Sequence, residues 1–546
     1  MEKINSAPGQ SAPQWQNWSR NIVHNAPTDG ADFYFTPTTE AELREIVLKV
    51  AAIDGATLRV SGQRHSQPAL VTRDNRGDVP VQAKDYLVDM SCYVDLGANK
   101  DQSMVVDVAK KQVTVNAGVR EDDLDAFLTK NNLIMKTVTA GGFFSIGGMT
   151  AVDVHGATVQ ESIFAETVAS FSVMQADGTI KYIDADASFD NVSLLQLIRV
   201  SLGAFGIVTS MTVNVLDRPY ATTLKPSREL FGPIRASNLR KTFIDKYQTL
   251  LTSHNRVESF FNPYADNILS SSFLALNWDL VADPDEKVPN VGTDPDSACE
   301  LAGNGVFGAP YLQIGEEVAE WAAIAAQQAS SDAAAALINW VAIKNIQSQV
   351  DAANARYSDL WLNNAARVAF MSYFVPLPKI DADGLAKAWE GLAVVRDYVI
   401  EGGNFHIAAP MEFRFVKACD AALSGTFALD PETMFINLDL ICFVEEQDAN
   451  TPGLKYTDEL LRFFAHVERR WVELGGLPHN GKMYGFYDPS NPDEESFTQP
   501  FNASFISYTT GQRIERGAPV PAFKAYRQSV DPKGLFYNPY LQTLLG

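Results

Sequence analysis

Two stretches of this sequence place small residues and a histidine where an extended run should end. The first is Gly62-Gln63-Arg64-His65-Ser66, which follows directly on the apolar alternation of Leu58 and Val60. Gly62 breaks the run into a turn. Successive backbone N–H groups in such a turn form a nest that suits an anion such as a pyrophosphate. His65 is presented at its tip. The second stretch is Ala140-Gly141-Gly142-Phe143-Phe144-Ser145-Ile146-Gly147-Gly148, followed by Val154-His155-Gly156. Two such turns can close over one extended, doubly charged ligand.

Charged side chains inside apolar runs are the second kind of signal. Met411-Glu412-Phe413-Arg414-Phe415 carries Glu412 and Arg414 two residues apart. On a strand these project from one face, where they can form a charge-assisted pair. A surface ion pair is the bland alternative. The apolar neighbours Met411, Phe413 and Phe415 argue that the opposite face is buried, and a cavity on the polar face then gives the pair a chemical use. Arg414 can stabilise negative charge developing on an oxygen. Glu258, in Arg256-Val257-Glu258-Ser259-Phe260-Phe261, is a carboxylate in an aromatic setting. Apolar surroundings raise a carboxyl pKa and make it a candidate acid/base, with a structural salt bridge as the other reading.

The elements that must position these residues follow from periodicity. Thr39-Glu40-Ala41-Glu42 is a capping box, and Leu43, Ile46, Val47 and Val50 fall on one face of the helix it opens. Short β runs follow at 86–90, 104–108 and 112–116, then a helix at 120–131. Asp177-Gly178 marks a hairpin between strands at 167–175 and 179–183. A helix at 193–201 and a strand beginning at Val208 complete an α+β unit ending near 217. From 218 long helices, including an Ala-rich stretch at 321–350, alternate with strand-like runs at 369–375, 409–415 and 434–443. Residues 1–217 are read as one domain, 218–500 as a second, and 501–546 as a return to the first. The segment 281–315, rich in Asp, Pro, Gly and Asn, reads as an extended loop or lid. Within it Gly303-Asn304-Gly305-Val306-Phe307-Gly308 matches G-x-G-x-x-G by letters, but no strand precedes it and Pro310 follows, so it is rejected as a dinucleotide loop.

Composition narrows the function classes. The 546 residues carry a formal net charge of -22, which opposes nucleic-acid binding, since phosphate affinity comes from clustered Lys and Arg. Four cysteines, at 92, 299, 419 and 442, form no C-x-x-C, and the seven histidines show no metal spacing, so no metal site is expected. No apolar run reaches the length of a spanning helix. Residues 1–14 lack an apolar core of the signal-peptide kind. Either a cytoplasmic protein or one whose export signal has been replaced is compatible with that start.

Gly62-Gln63-Arg64-His65-Ser66, the signature Gly203-Ala204-Phe205-Gly206-Ile207-Val208 and the tail Asp531-Pro532-Lys533-Gly534-Leu535-Phe536-Tyr537-Asn538-Pro539 together resemble the vanillyl-alcohol-oxidase type of flavoprotein. The resemblance implies a two-domain fold: an FAD-binding domain of two α+β subdomains, and a substrate domain with an antiparallel sheet flanked by helices. It implies FAD held by Gly62, Gln63, Arg64, Ser66, Gly141, Gly142, Ser145, Gly147, Gly148, His155, Gly156, Val208 and Asn538, and bonded covalently through His65. With no Cys between 93 and 298, a second, cysteinyl bond is not expected. Pro478-His479-Asn480-Gly481-Lys482 is similar to an H-x-x-K that many relatives carry near the flavin. The second-domain motifs around Glu258 and Glu412 look most like the covalent-flavin class of bacterial cholesterol oxidases. That implies oxidation of a sterol 3β-hydroxyl with O2, release of H2O2 and a Δ5 to Δ4 isomerisation. Arg414 and Glu412 would then control the reaction and oxygen access, and Glu258 would sit in a sterol pocket with a further, unplaced carboxylate. Phe260, Phe261, Trp278, Trp340, Trp361, Phe370, Tyr373 and Phe374 could give that pocket its apolar area. The resemblance further implies a secreted monomer that touches membranes or lipid particles to take up sterol. A sugar- or alditol-type oxidase shares every FAD motif and is the alternative; a sterol carrier without catalysis is a third.

Overall fold

The computed structural model describes residues 14–27, 32–77, 84–139, 142, 144–218, 222–265, 272–282, 323–325, 327, 331–352, 368–446 and 454–546. Gly141, Trp361, nearly all of the 281–315 segment and the rejected glycine motif within it lie outside the described residues.

After a short antiparallel pair of segments, Gln14–Gln16 and Val23–Asn25, comes a small parallel sheet. Strand β1 (Tyr34–Phe35), helix α1 (Glu40–Ala51), strand β2 (Thr57–Val60) and strand β3 (Asp85–Val88) give the spatial order β1-β3-β2. Helix α1 buries Leu43, Ile46, Val47 and Val50, which join Leu58, Tyr86 and Val88 in one apolar cluster. Its start departs from the expected capping box. The Thr39 side chain accepts the Glu42 N–H at 3.3 Å, but the Glu42 carboxylate reaches one residue further back, to the Thr38 N–H at 2.7 Å.

Strands β4 (Met104–Asp107) and β5 (Gln112–Asn116), helix α2 (Glu121–Lys130), strand β6 (Leu133–Met135) and helix α3 (Ile146–Ala151) follow. Strands β7 (Val168–Met174), β8 (Ile180–Ile183) and β9 (Ile207–Asp217) then complete an antiparallel sheet of order β8-β7-β9-β5-β4, with β6 also pairing to β9. The β7–β8 hairpin turns at Asp177-Gly178, where a φ of 78° calls for glycine.

The second half is built on one antiparallel sheet. Its elements in chain order are β10 (Thr222–Phe231), α4 (Leu239–Ser253), β11 (Arg256–Phe261), β12 (Phe273–Ala282), α5 (Asp332–Ala352), β13 (Val368–Leu377), α6 (Ala382–Ile400), β14 (Met411–Lys417), β15 (Met434–Phe443), α7 (Asp458–Glu473) and β16 (Leu477–Pro478). The seven strands lie in the order β10-β12-β11-β14-β15-β13-β16.

Helices cover one face of this sheet. Tyr247 of α4 packs on Phe413 with ring centroids 5.4 Å apart, Trp389 of α6 lies 6.2 Å from Phe273, and Trp471 of α7 lies 5.6 Å from Tyr373. Because successive strand residues point to opposite faces, Glu412, Arg414, Asn437, Asp439, Ser372 and Phe374 are turned the other way. Phe261 and Tyr373, expected at a pocket, belong instead to the helix-covered side: Phe261 stacks on Phe273 at 4.8 Å, and Tyr373 donates to the buried Glu468 at 2.5 Å. Trp340 stands on the outer surface of α5, 37% exposed.

Helices α8 (Ala503–Glu515), α9 (Val520–Val530) and α10 (Pro539–Leu545) end the chain. The tail before α10 reaches the first sheet, with the Leu58 N–H donating to the Leu535 carbonyl at 2.8 Å.

Candidate functional site

One buried arginine explains why three distant motifs meet. Arg59, in the middle of β2, donates to the carbonyls of Leu70 at 2.9 Å, Gly203 at 2.9 Å and Phe536 at 2.6 Å, and also to Leu202. Those acceptors lie in the loop after His65, in the Gly203–Gly206 signature and in the tail. The planar guanidinium can serve several carbonyls at once, which an ammonium does less well. Burial pulls its pKa down to about 10, still far above neutrality.

The 62–66 turn leaves its donors open. The backbone N–H groups of Gly62, Gln63 and Ser66 find no acceptor among the described residues. Arg64 sits at φ 63°, a left-handed conformation that costs energy in a non-glycine residue. A Cβ on Gly62 would lie 2.6 Å from the Ser145 Oγ, so the two glycine-rich loops are in direct contact there. Trp18 stacks on the His65 ring at 4.5 Å, and Phe144 meets its edge at 4.8 Å. Burial, with the charges of Lys482 and Arg64, holds the His65 pKa well below its ordinary value. The ring is therefore neutral near pH 7.

Both loops border one cavity of about 240 Å³, which runs on to the uncovered face of the large sheet. Register sets what that face presents. Glu258, Arg414, Asn437 and Phe374 lie in one cross-strand row, and Phe260, Glu412, Asp439 and Ser372 in the next. Directly opposed residues share a face. Arg414 donates to Glu258 through Nε at 3.2 Å and through its terminal nitrogen at 2.7 Å, and the same terminal nitrogen reaches Glu412. Glu412, Arg414, Asp439 and Ser372 border the cavity.

Two histidines and a lysine close the same end. The His155 Nδ1 bonds the Gly156 carbonyl at 3.0 Å, so it carries the proton. The His479 Nδ1 accepts the Gly481 N–H at 2.9 Å, so there Nε2 carries it. Their rings lie 6.2 Å apart, and burial first, then nearby cations, keeps both pKa values well below the ordinary range. Lys482 lies over the Phe370 ring, Nζ 3.7 Å from its centroid. Burial lowers its pKa to about 8, partly offset by Asp439. Burial also raises the Asp439 carboxyl, with Arg414 pulling the other way. A fixed guanidinium, an amine near neutrality, two neutral imidazoles and carboxylates can bind a hydroxyl and move its proton.

Of the residues singled out in the sequence, Gly62, Gln63, Arg64, His65, Ser66, Ser145, Gly147, Gly148, His155 and Val208 border the cavity, as do Glu412 and Arg414. Gly142, Gly156, Asn538 and Glu258 do not. Gly142 packs against Asp122 at φ 69°, and Gly156 leaves no room for a Cβ beside the Val138 carbonyl. Asn538 ties the tail to the carbonyls of Ala69 at 2.8 Å and Leu70 at 3.1 Å and caps α10. Glu258 is fully buried and engaged by Arg414, which corrects its placement as a carboxylate lining the pocket. Asp439, Ser372, His479 and Lys482 complete the site. Asp439 was missed, although Asn437 and Asp439 alternate with Ile436, Leu438 and Leu440 as Glu412 and Arg414 do with their neighbours. Elsewhere Glu166, Cys419 and Asp420 bring possible metal ligands together, but Arg199 already donates to Glu166 at 2.8 Å and to Asp420 at 3.4 Å.

Comparison with known proteins bears on this geometry. Residues 31–184 match the sequence family described as FAD binding domain. The chain carries an FAD-binding domain. Residues 314–544 match the family described as D-arabinono-1,4-lactone oxidase, which places the chain close to the vanillyl-alcohol-oxidase type of flavoprotein. L-gulonolactone oxidase from Mus musculus is 26% identical over 276 residues, 50% of this chain and 55% of that protein. D-arabinono-1,4-lactone oxidase from Candida glabrata is 23% identical over 250 residues, 46% of this chain and 42% of that protein. The chain thus spans about half the length of the curated relatives it matches. Among solved structures, cholesterol oxidase from B. sterolicum superposes over 100% of both chains with a TM-score of 0.70 at 14% identity. A solvent-stable cholesterol oxidase covers 98% of each at 0.67 and 17%. At these identities the likeness is one of fold.

The FAD-binding domain fits its cofactor on its own geometry. Three open backbone donors at Gly62, Gln63 and Ser66, beside a point where Gly62 leaves no room for a side chain, suit a pyrophosphate. His65, His155, Arg414 and Lys482 border the same cavity.

Proposed function

We propose that the protein is an FAD-dependent oxidase acting on a secondary hydroxyl of a small polar substrate of the sugar or aldonolactone type, with O2 as the final acceptor and H2O2 as product. The observation that carries this reading is the polar row Glu412–Asp439–Ser372 beside Arg414 and Lys482 on the cavity face, in a chain whose sequence relatives are named lactone oxidases. A sterol needs a mostly apolar wall with a few polar groups at one end. This end is densely polar.

FAD, held by the loops at 62–66 and 145–148, would supply an acceptor for the hydride of the carbon bearing the hydroxyl and a route for its electrons to O2. The protein's own residues do the rest. Arg414, fixed by Glu258 and Glu412, offers positive charge where negative charge develops on the substrate oxygen. Lys482, with its pKa lowered to about 8, takes or holds the hydroxyl proton near neutral pH. His155 offers an acceptor at Nε2 and His479 a donor at Nε2. The loops at 62–66 and 145–148 hold the cofactor, and the neutral His65 imidazole is in the form able to bond to it covalently.

The sterol substrate expected from the second-domain motifs is the second reading. The stretch from Val257 to Phe261 and the Met411–Arg414 pattern favour it. Glu258, expected as an acid/base in a sterol pocket, is engaged by Arg414 and does not border the cavity. A substrate panel with H2O2 release as the readout tests the proposal: turnover of aldono-1,4-lactones or alditols supports it, and turnover of 3β-hydroxysterols alone would reverse the order of the two readings.

A further inference from the structure

We propose that Asp439 is the specificity residue of this site, reading a second hydroxyl on the substrate beside the one being oxidised; this rests on the proposed oxidation of a polar, hydroxylated substrate. Asp439 is 3% exposed and borders the cavity. Its Oδ1 has no hydrogen-bond partner among the described residues. A buried acceptor without a donor is uncommon, and each instance calls for a reason such as an absent ligand.

The register sharpens the case. Asp439 stands directly opposite Glu412 on β14 and opposite Ser372 on β13. Two carboxylates facing each other across strands repel. Arg414, the nearest cation on the same face, is already committed to Glu258 and Glu412. Lys482 acts on Asp439 through its charge, but its Nζ rests over Phe370. The Ser372 Oγ accepts the Asn437 amide at 2.9 Å, and both of these side chains also help to hold the Asp439 carboxylate, so the open acceptor is its Oδ1 alone. The row thus offers an acceptor that the protein leaves open at the reacting end of the cavity. A hydroxyl is the donor of matching size and charge. A substrate with hydroxyls on neighbouring carbons places one at Arg414 and Lys482 and the next at Asp439, whereas a sterol nucleus, with one hydroxyl, leaves Asp439 unanswered.

The test compares kcat/KM for an aldono-1,4-lactone and for its deoxy analogue lacking the neighbouring hydroxyl, in wild type and in Asp439→Asn and Asp439→Leu. Dissociation constants for both compounds are measured by calorimetry on the flavin-loaded proteins, and circular dichroism checks the fold. Wild type should prefer the hydroxylated compound by on the order of 10²-fold or more, since a site built to bond a hydroxyl rejects the analogue lacking it. Asp439→Leu should collapse that preference to near unity, through a rise in KM and Kd for the hydroxylated compound that the deoxy compound does not share. Asp439→Asn should keep part of it, because the amide oxygen still accepts. Equal losses on both compounds, or an unchanged preference, overturn the assignment of Asp439 while the oxidase reading stands. A flavin-loaded wild type that oxidises no hydroxylated lactone or alditol overturns both.

Discussion

Asp153, from the FAD-binding half, accepts both the backbone N–H of Asn480 at 2.8 Å and its side-chain amide at 2.6 Å, although the two residues are 327 positions apart. The same carboxylate accepts the Ser424 hydroxyl at 2.7 Å and the Gly425 N–H at 2.9 Å, and Arg513 supports it from behind through Asn480 at 3.1 Å. All of these groups are buried. His155 and His479 flank the contact, so one buried anion sets the distance between the two rings at the cavity. Burial raises the Asp153 carboxyl pKa, against four hydrogen bonds and Arg513. Asp153→Ala should therefore cost about 3–5 kcal/mol, because it leaves buried donors and Arg513 uncompensated. Denaturant unfolding measures this, and flavin retention should fall in parallel. An Asp153→Ala protein as stable as wild type would remove the contact's importance.

Arg414 is held from two sides, and its partners should be separable by kinetics. Arg414→Ala should lower the rate of substrate oxidation by about 10²–10³, the loss typical of one charge-stabilising donor, and should destabilise the fold because Glu258 then lies buried without its cation. Glu258→Gln keeps a hydrogen-bond acceptor for Arg414 and should slow the rate far less. Stopped-flow reduction under anaerobic conditions separates them. Equal losses for the two variants would mean that Glu258 touches the substrate.

Lys482 should set an alkaline limb. Its folded pKa is about 8 and its ordinary value 10.5. Where its cation is needed, kcat/KM falls as pH rises through about 8; where the free amine is the base, kcat/KM rises there instead. Either limb should vanish in Lys482→Met. For stability the sign is fixed. Between about 8 and 10.5 the unfolded chain binds more protons than the folded one, so the cost of burying this cation, fully present below pH 8, is relieved as pH rises. Lys482→Met should remove that rise from the pH dependence of unfolding.

Much of this was legible in the sequence, and the exceptions share a cause. Local signals located α1, the Asp177-Gly178 hairpin and both glycine-rich loops, because a 3.6-residue period and a turn residue act within a few positions. Glu412 and Arg414 were found because polar residues two apart in an apolar run show up in any window. Asp439 carries the same signal, but the partner that makes it interesting lies on another strand and depends on register. Arg59 gives only a charge within a short strand, and its acceptors lie 11, 143, 144 and 477 positions away. Glu258 was read as pocket-lining because apolar neighbours show burial without showing which side of Arg414 the carboxylate takes. Substrate class was the hardest to read: the loops that hold a pyrophosphate are shared by enzymes of very different substrates, and the polar row that separates a lactone from a sterol is assembled from three strands.

The proposed covalent link through His65 can be checked without turnover. The neutral ring between Trp18 and Phe144 borders the cavity, so flavin should remain with the polypeptide after acid or SDS denaturation. His65→Ala should fold, bind FAD reversibly and release it on denaturation. Complete release of flavin from denatured wild type would exclude the bond.

The most direct measurement is anaerobic mixing of the flavin-loaded protein with an aldono-1,4-lactone, an alditol and a 3β-hydroxysterol in turn, following the flavin's visible absorbance. Rapid bleaching by the lactone or alditol, restored by O2 with release of H2O2, with no bleaching by the sterol, is the expected result. Bleaching by the sterol alone would contradict the polar-substrate reading of the Glu412–Asp439–Ser372 row.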